Sequence, residues 1–223
     1  MRVAALFSGG KDSVFAVYIA KQYGWEIPFL VTLVPQQSDS WMFHSINIHQ
    51  TDYLARAMGI PLVKRITPAE KETELLDLKA ILQDLEIDGV ISGAIASEYQ
   101  RTRIEKITEE LGLKSFTPLW HKNPELLLQD QVKAGFHIII VGVFAEGFDQ
   151  TWLGRIIDED VIGALVRLHD RQGINIAGEG GEYETLVLDG PLFSKKLVID
   201  ASKKEWNRDT GVFLVQKAHL EDV

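Results

Sequence analysis

No cysteine occurs among the 223 residues. A chain without thiols forms no disulfide, carries no persulfide sulfur and has no Cys-His pair for hydrolysing glutamine. Long apolar runs are missing as well. None approaches the roughly 18 residues that span a bilayer, and a strand pattern begins directly after Met1-Arg2; the expectation is a soluble, cytoplasmic protein without a membrane partner. Positive charge is in short supply: 23 Lys and Arg stand against 32 Asp and Glu, a net charge of −9. A broad nucleic-acid surface would need clustered basic residues, so no nucleic-acid partner is expected. Internal repeats and low-complexity tracts do not occur. His44, His49, His121 and His169 lack ligand-type spacing and read as ordinary surface or core residues. With 46% hydrophobic and 25% charged residues, the rest has a globular make-up and enough length for a full core. A homo-oligomer is left open.

The most informative stretch is Ser8-Gly9-Gly10-Lys11-Asp12-Ser13, between an apolar run at 3–7 and a helical pattern at 12–23. Two adjacent glycines let the backbone take φ > 0 and bring its N–H groups close to a ligand. The helix that follows points its unsatisfied N–H groups and positive dipole end at the same place. Lys11 adds a mobile point charge, Ser13 a hydroxyl, and Asp12 a carboxylate suited to Mg²⁺ or to a backbone N–H. Together they describe a pyrophosphate cradle; a glycine-rich turn capped by Asp or Ser is the plainer alternative. The spacing is not G-x-x-x-x-G-K-[ST], because both glycines directly precede the lysine and an acid follows it. S-G-G-x-D-S resembles instead the PP-loop of the N-type ATP pyrophosphatases.

Apolar runs of strand length at 28–34, 61–66, 88–93 and 114–120 alternate with helical patterns at 46–58, 67–85 and 97–111. Thr67-Pro68-Ala69-Glu70 has capping-box spacing at the start of the second of these helices. Alternating strands and helices imply an α/β fold, a Rossmann-like doubly wound parallel sheet. With order 3-2-1-4-5 the reversal falls between the first and fourth strands, where ligands bind beyond the carboxyl ends. Gly9-Gly10 and Gly93-Ala94 would then face each other across one crevice. Residues 35–45, with Trp41, Met42 and Phe43, read as a lid or as a loop tucked onto the core. A boundary near residue 122 separates a first domain, 1–122, from a smaller mixed α+β subdomain, 123–223. In it helices at 125–134 and 159–171 and strands at 136–143, 185–188, 195–199 and 212–219 are predicted.

Two further segments carry chemistry. Ser97-Glu98-Tyr99-Gln100-Arg101-Thr102-Arg103 opens a helix with groups suited to phosphate or carboxylate; a solvated charged face is the alternative. Gly178-Glu179-Gly180-Gly181-Glu182-Tyr183-Glu184-Thr185 gathers carboxylates that repel one another unless solvated or matched by a cation. It reads as an acidic hairpin turn or as a pocket for a positively charged substrate.

The cradle, Gly93-Ala94-Ile95-Ala96-Ser97-Glu98-Tyr99-Gln100-Arg101 and the acidic loop, in this order and spacing, resemble the diphthine-ammonia ligase family of archaeal and eukaryotic PP-loop proteins. The resemblance implies an adenine nucleotide alpha-hydrolase-like fold and ATP-dependent amidation of diphthine on translation elongation factor 2. AMP and pyrophosphate would be the products, ammonium the nitrogen donor, and Mg²⁺ held at Asp12 the metal. It further implies Lys11, Asp12 and Arg101 as catalytic residues, and Ser8, Gly9, Gly10, Lys11, Asp12 and Ser13 around the phosphates. Thr32, Leu33, Gly93, Ala94 and Ser97 would bind the rest of the nucleotide. Tyr99, Gln100, Arg103, Glu179, Gly180, Gly181 and Thr185 would bind substrate, with Tyr183 flanked by Glu182 and Glu184 meeting its trimethylammonium group and Trp120 completing the cage. Eukaryotic members carry further C-terminal domains. A tRNA-modifying PP-loop ligase and a nucleotide-binding sensor without turnover are the rival readings.

Overall fold

The computed structural model describes residues 1–36, 46–68 and 71–223. They form two compact units, Met1–Trp120 and His121–Val223. The proposed lid falls on residues 37–45 for the most part, and that stretch lies outside the described residues.

The first unit is a five-stranded parallel sheet. Its strands are β1 (Arg2–Leu6), β2 (Glu26–Pro35), β3 (Leu62–Thr67), β4 (Gly89–Ile91) and β5 (Lys114–Phe116). Their spatial order is β3-β2-β1-β4-β5, the order expected for a doubly wound sheet, with the reversal between β1 and β4. Consecutive residues Val3, Ala4 and Ala5 are all fully buried, as are Leu30 and, nearly, Val31. Burial without alternation requires cover on both faces, which is why these strands read as unbroken apolar runs. Helices α3 (Lys71–Gln83) and α4 (Glu98–Glu110) supply one cover: Leu78, Ile81, Leu82, Ile104 and Ile107 pack with Ala4, Leu6, Val31, Leu33 and Val90. Helix α1 (Lys11–Gln22) packs on β1, β2 and β4 and buries Val14, Phe15, Ala16, Val17 and Ala20. Burying each Leu, Ile or Val side chain contributes about 1.5–3 kcal/mol, so the stripes of α3 and α4 alone outweigh their weak intrinsic helix stability.

Several expectations are corrected. The helix predicted over 46–58 is broken at Asn47, whose φ of 57° is left-handed; a 3₁₀ turn follows, and α2 runs only over Thr51–Met58. Thr67 is no helix cap. It ends β3, paired with Pro35, and its carbonyl accepts the Gln36 N–H at 2.8 Å. The fifth strand stops at Phe116, since Pro118 cannot donate to a ladder and Trp120 closes a turn onto Thr117.

The second unit is a four-stranded antiparallel sheet, β7-β6-β9-β8, with helices α5 (Pro124–Lys133) and α6 (Glu159–Gln172). The strands are β6 (His137–Val143), β7 (Tyr183–Asp189), β8 (Lys195–Asn207) and β9 (Thr210–Asp222). Asn123 caps α5 and Asp158 caps α6, each side chain accepting an N–H three residues on. β8 and β9 are each 13 residues long, well beyond the predicted spans. Their outer half pairs main chain to main chain through Asn207↔Thr210, around Arg208 at φ 57°. The sheet-edge strand β8 carries Lys203 and Lys204 on its exposed part, the usual protection against edge-to-edge pairing.

Candidate functional site

In the first unit the turn after β1 is built from its own side chains. Ser13 Oγ donates to Gly10 O at 3.0 Å and accepts the Ser8 N–H at 3.3 Å, while the hydroxyls of Ser8 and Ser13 are 3.2 Å apart. The Gly10 N–H donates to Ser8 Oγ at 3.3 Å. Gly9 has φ 79°, a conformation a side chain would strain, whereas Gly10 has φ −76° and ψ 161°, open to any residue. Of the two glycines, one therefore sets the bend. No side chain caps the N-terminus of α1. In α4 the Ser97 hydroxyl accepts the Gln100 N–H at 3.3 Å, and α5 and α6 are capped as described. The α1 terminus thus points its first N–H groups and the positive end of its dipole toward the carboxyl end of β1.

Lys11 is not the mobile charge expected from sequence. Its side chain is 3% exposed and its Nζ stands 2.5 Å from Asp12 Oδ2. A buried ammonium needs such an anion, and exchange of Asp12 for another anion is the way it can serve a ligand.

Gly93 follows β4 and lies against the first turn of α1: a Cβ built on it would stand 2.6 Å from the Asp12 carbonyl carbon and 2.7 Å from the Ser13 nitrogen. The end of β4 and the cradle thus touch backbone to backbone. Ala94, beside it, is 5% exposed. β2 outruns β1. The β1 ladder ends where the Phe7 N–H donates to Val31 O, and the Thr32 hydroxyl takes the Phe7 carbonyl at 2.6 Å. β2 goes on pairing with β3 to Pro35, so the main chain of Leu33 stands past the end of β1.

The two arginines of α4 differ in what they hold. Arg101 donates to Glu98 at 3.0 Å and to Glu105 at 2.9 Å, and its guanidinium lies 4.7 Å from the centroid of the Trp120 ring. The hydrogen bond it donates to Glu98 raises its pKa further, so the charge is permanent and already matched. Arg103 stacks 3.4 Å above the Tyr99 ring and donates to Tyr99 O at 3.3 Å. Among the described residues it has no carboxylate partner, and its Nε is buried without a hydrogen bond. Arg101, the arginine the resemblance implies as catalytic, is braced along α4 by Glu98 and Glu105, whereas Arg103 is stacked on Tyr99. Trp120, expected in a cage, has one ring face covered by Arg101.

In the second unit the acidic loop is a self-bonded structure. Glu182 accepts the Asn175 N–H at 2.8 Å through one oxygen and the Gly180 N–H at 2.9 Å through the other. Asn175 O accepts from Gly178, and Gly178 O from Gly181, with φ values of 73° and 83° at those two glycines. His169 Nδ1 and Ile174 O, 2.6 Å apart, tie α6 to the loop's start. Tyr183 departs furthest from expectation. It is the first residue of β7, 3% exposed, with its hydroxyl donating to Ile176 O at 2.7 Å and its ring 6.1 Å from that of Phe148. It offers no open aromatic face and supports the loop from beneath. Glu184 and Thr185 continue into β7, opposite Gly142 and Ile140, while Glu179 and Gly181 stay in the loop. Strand alternation across Glu182-Tyr183-Glu184 is the signal that would have predicted this. The sequence reading also missed Phe144, directly after β6, which is 40% exposed and donates its N–H to Glu182 O at 2.8 Å.

Among the described residues no three His, Asp or Glu converge on a metal position. No helix of the described residues is long and apolar enough to cross a membrane.

Two family models match the chain, the diphthamide synthase N-terminal domain over residues 1–115 and the diphthamide synthase C-terminal domain over 123–220. A Danio rerio protein named diphthine–ammonia ligase is 34% identical over 100% of this chain and 97% of its own length. The Homo sapiens protein of that name is 34% identical over 91% of this chain and 84% of its own. The Schizosaccharomyces pombe protein of that name is 34% identical over 100% of this chain but 40% of itself. Much greater length is thus a property of the yeast relative and not of the vertebrate ones, contrary to what was expected of eukaryotic members. A predicted subunit of tRNA methyltransferase from Methanocaldococcus jannaschii shares 17% identity at a TM-score of 0.49, over 86% of this chain and 98% of its own, too distant to speak to chemistry. Matched by both models along nearly its whole length, the chain belongs to the diphthamide synthase family.

Proposed function

We propose that the chain converts the diphthine carboxylate of translation elongation factor 2 to its amide, using ATP and ammonium and releasing AMP and pyrophosphate. Its family membership supports this reading. The observation that carries it is the N-terminus of α1, which follows the left-handed Gly9 at the carboxyl end of β1 and has no side-chain cap. Such a terminus suits the phosphates of a nucleotide.

A diphthine carboxylate oxygen attacks the α-phosphorus of ATP, the bond to the bridging oxygen breaks, and pyrophosphate leaves. Ammonia then attacks the acyl carbon of the resulting acyl-adenylate, a proton departs to solvent, and AMP leaves. Charge grows on the departing phosphates in the first step. The N–H groups at the start of α1 and the Lys11 ammonium stabilise it where water is scarce. Leu33, Gly93 and Ala94 line the adenosine with main chain, and Arg103 takes an anionic group of the substrate. The Asp12 carboxylate fits Mg²⁺, an ion that accepts one protein carboxylate and completes its shell with water and phosphate oxygens. When bound, Mg²⁺ neutralises charge on the leaving pyrophosphate. The acidic loop of the second unit receives the cationic end of diphthine.

The test is incubation with ATP, ammonium and diphthine-bearing elongation factor 2, followed by nucleotide analysis and mass spectrometry of the factor. AMP together with the acid-to-amide mass change supports the reading. ADP, or an unchanged factor, overturns it. Asp12→Asn should lower AMP formation by about 100-fold or more, the scale set by removing one group aimed at developing charge.

A further inference from the structure

The substrate proposed above carries a quaternary ammonium, which has no N–H to donate and is held by aromatic faces beside negative charge. Tyr183 cannot supply that face, being buried with its hydroxyl engaged. We infer that Phe144 is the aromatic face that receives the trimethylammonium group, an assignment that rests on the reading under Proposed function.

The geometry follows from strand register. β6 and β7 are antiparallel with Val143 opposite Tyr183, and the Phe144 N–H donates to Glu182 O one step beyond. Phe144 and Glu182 are therefore a cross-strand pair. Directly opposite residues in such a pair share a face, with Cβ atoms about 5 Å apart. Val143 and Tyr183 point the other way, into the core, at 0% and 3% exposure, whereas Phe144 stands at 40%. Two residues along on the same face, Glu184 is paired with Gly142, which has no side chain to fill the space before it. Phe144, Glu182 and Glu184 thus lie on one face at the end of this ladder, with exposed Glu146 close by in sequence.

The Glu182 carboxylate accepts the N–H groups of Asn175 and Gly180. Those two bonds fix it in place on the face it shares with Phe144. A primary ammonium could compete for those carboxylates by hydrogen bonding; a trimethylated one is bulkier, less strongly hydrated and selected by the ring. Phe144 is in this sense a specificity residue.

Two measurements on the full chain test it. In the first, tetramethylammonium chloride is titrated against protein with ring-labelled phenylalanine, and the Phe144 signal is identified by its loss in Phe144→Leu. A shift with tetramethylammonium, and none with the same concentration of ammonium chloride, supports the inference; no shift overturns it. In the second, Phe144→Leu should raise the KM for diphthine-bearing elongation factor 2 by about 3- to 30-fold, the range for a cation–π contact from exposed to desolvated. The KM for ATP should stay unchanged, and Phe144→Trp should restore tight binding. An unchanged KM for the factor in the leucine variant overturns the assignment while leaving the amidation reading intact. Failure of the wild-type chain to amidate at all overturns that reading instead, and the titration then still decides whether Phe144 binds a quaternary amine.

Discussion

Gly93 and Asp12 meet backbone to backbone, with room for a hydrogen on the Gly93 Cα and for nothing larger: an added methyl would stand 2.6 Å from the Asp12 carbonyl carbon and 2.8 Å from its oxygen. The end of β4 is thereby locked to the first turn of α1. Gly93→Ala must push that turn aside. A stability loss of about 1–3 kcal/mol is expected from overpacking, together with weakened ATP binding, read by urea denaturation and nucleotide titration. Unaltered ATP affinity in a folded variant would separate this contact from the cradle.

The two cradle glycines should behave differently. Gly9→Ala forces a side chain into the left-handed region at φ 79° and should cost about 1–2 kcal/mol of stability. Gly10→Ala meets no such strain at φ −76°, so its stability should lie within about 0.5 kcal/mol of wild type while its added methyl hinders ATP. Denaturation midpoints and ATP dissociation constants, measured on both variants, check the contrast.

Glu182→Gln should impair amidation by loosening the loop as well as by removing negative charge from the face it shares with Phe144. The amide turns an N–H₂ toward one of the two N–H groups that the carboxylate now accepts, and hydrogen bonds to a charged group are worth about 1.5–3 kcal/mol each. Faster hydrogen exchange at Asn175 and Gly180, with ATP affinity retained, is the expected signature. Lost amidation with exchange unchanged would assign Glu182 to the substrate itself. Tyr183→Phe, which keeps the ring but drops the bond to Ile176 O, should have a milder effect of the same kind.

Arg103→Gln and Arg101→Gln should divide binding from bracing. Removing Arg103 should raise the KM of an anionic ligand, ATP or the diphthine carboxylate, by about 10- to 100-fold, as for loss of one charge-assisted hydrogen bond. Removing Arg101 leaves Glu98 and Glu105 facing each other without their shared cation; its main effect should be a lower Tm. Steady-state kinetics beside thermal denaturation distinguishes the two, and equal KM changes would contradict the division.

The parallel sheet was legible because its strands are covered on both faces and so appear as continuous apolar runs between helical periods. The turn between β1 and α1 was legible because two adjacent glycines between an apolar run and a helical period mark a sharp bend. Tyr183 was misread because the glycines before it drew it into the loop, although the Glu-Tyr-Glu alternation already belonged to a strand with one face buried. The outer half of β8 left no trace in hydropathy: residues 200–205 are exposed, and main-chain pairing with β9, not burial, holds them. The contacts of Arg101 and Arg103 were beyond sequence altogether, since which of two neighbouring cations pairs with a carboxylate depends on rotamers along α4.

Ser13, by holding both Ser8 and Gly10, fixes the turn before any nucleotide arrives. Its conformational entropy was surrendered when the chain folded, so capture of a triphosphate calls for shedding water and not for freezing backbone. Association should then proceed in a single kinetic phase, with a rate that climbs in proportion to nucleotide concentration and shows no plateau from a slow rearrangement of this turn.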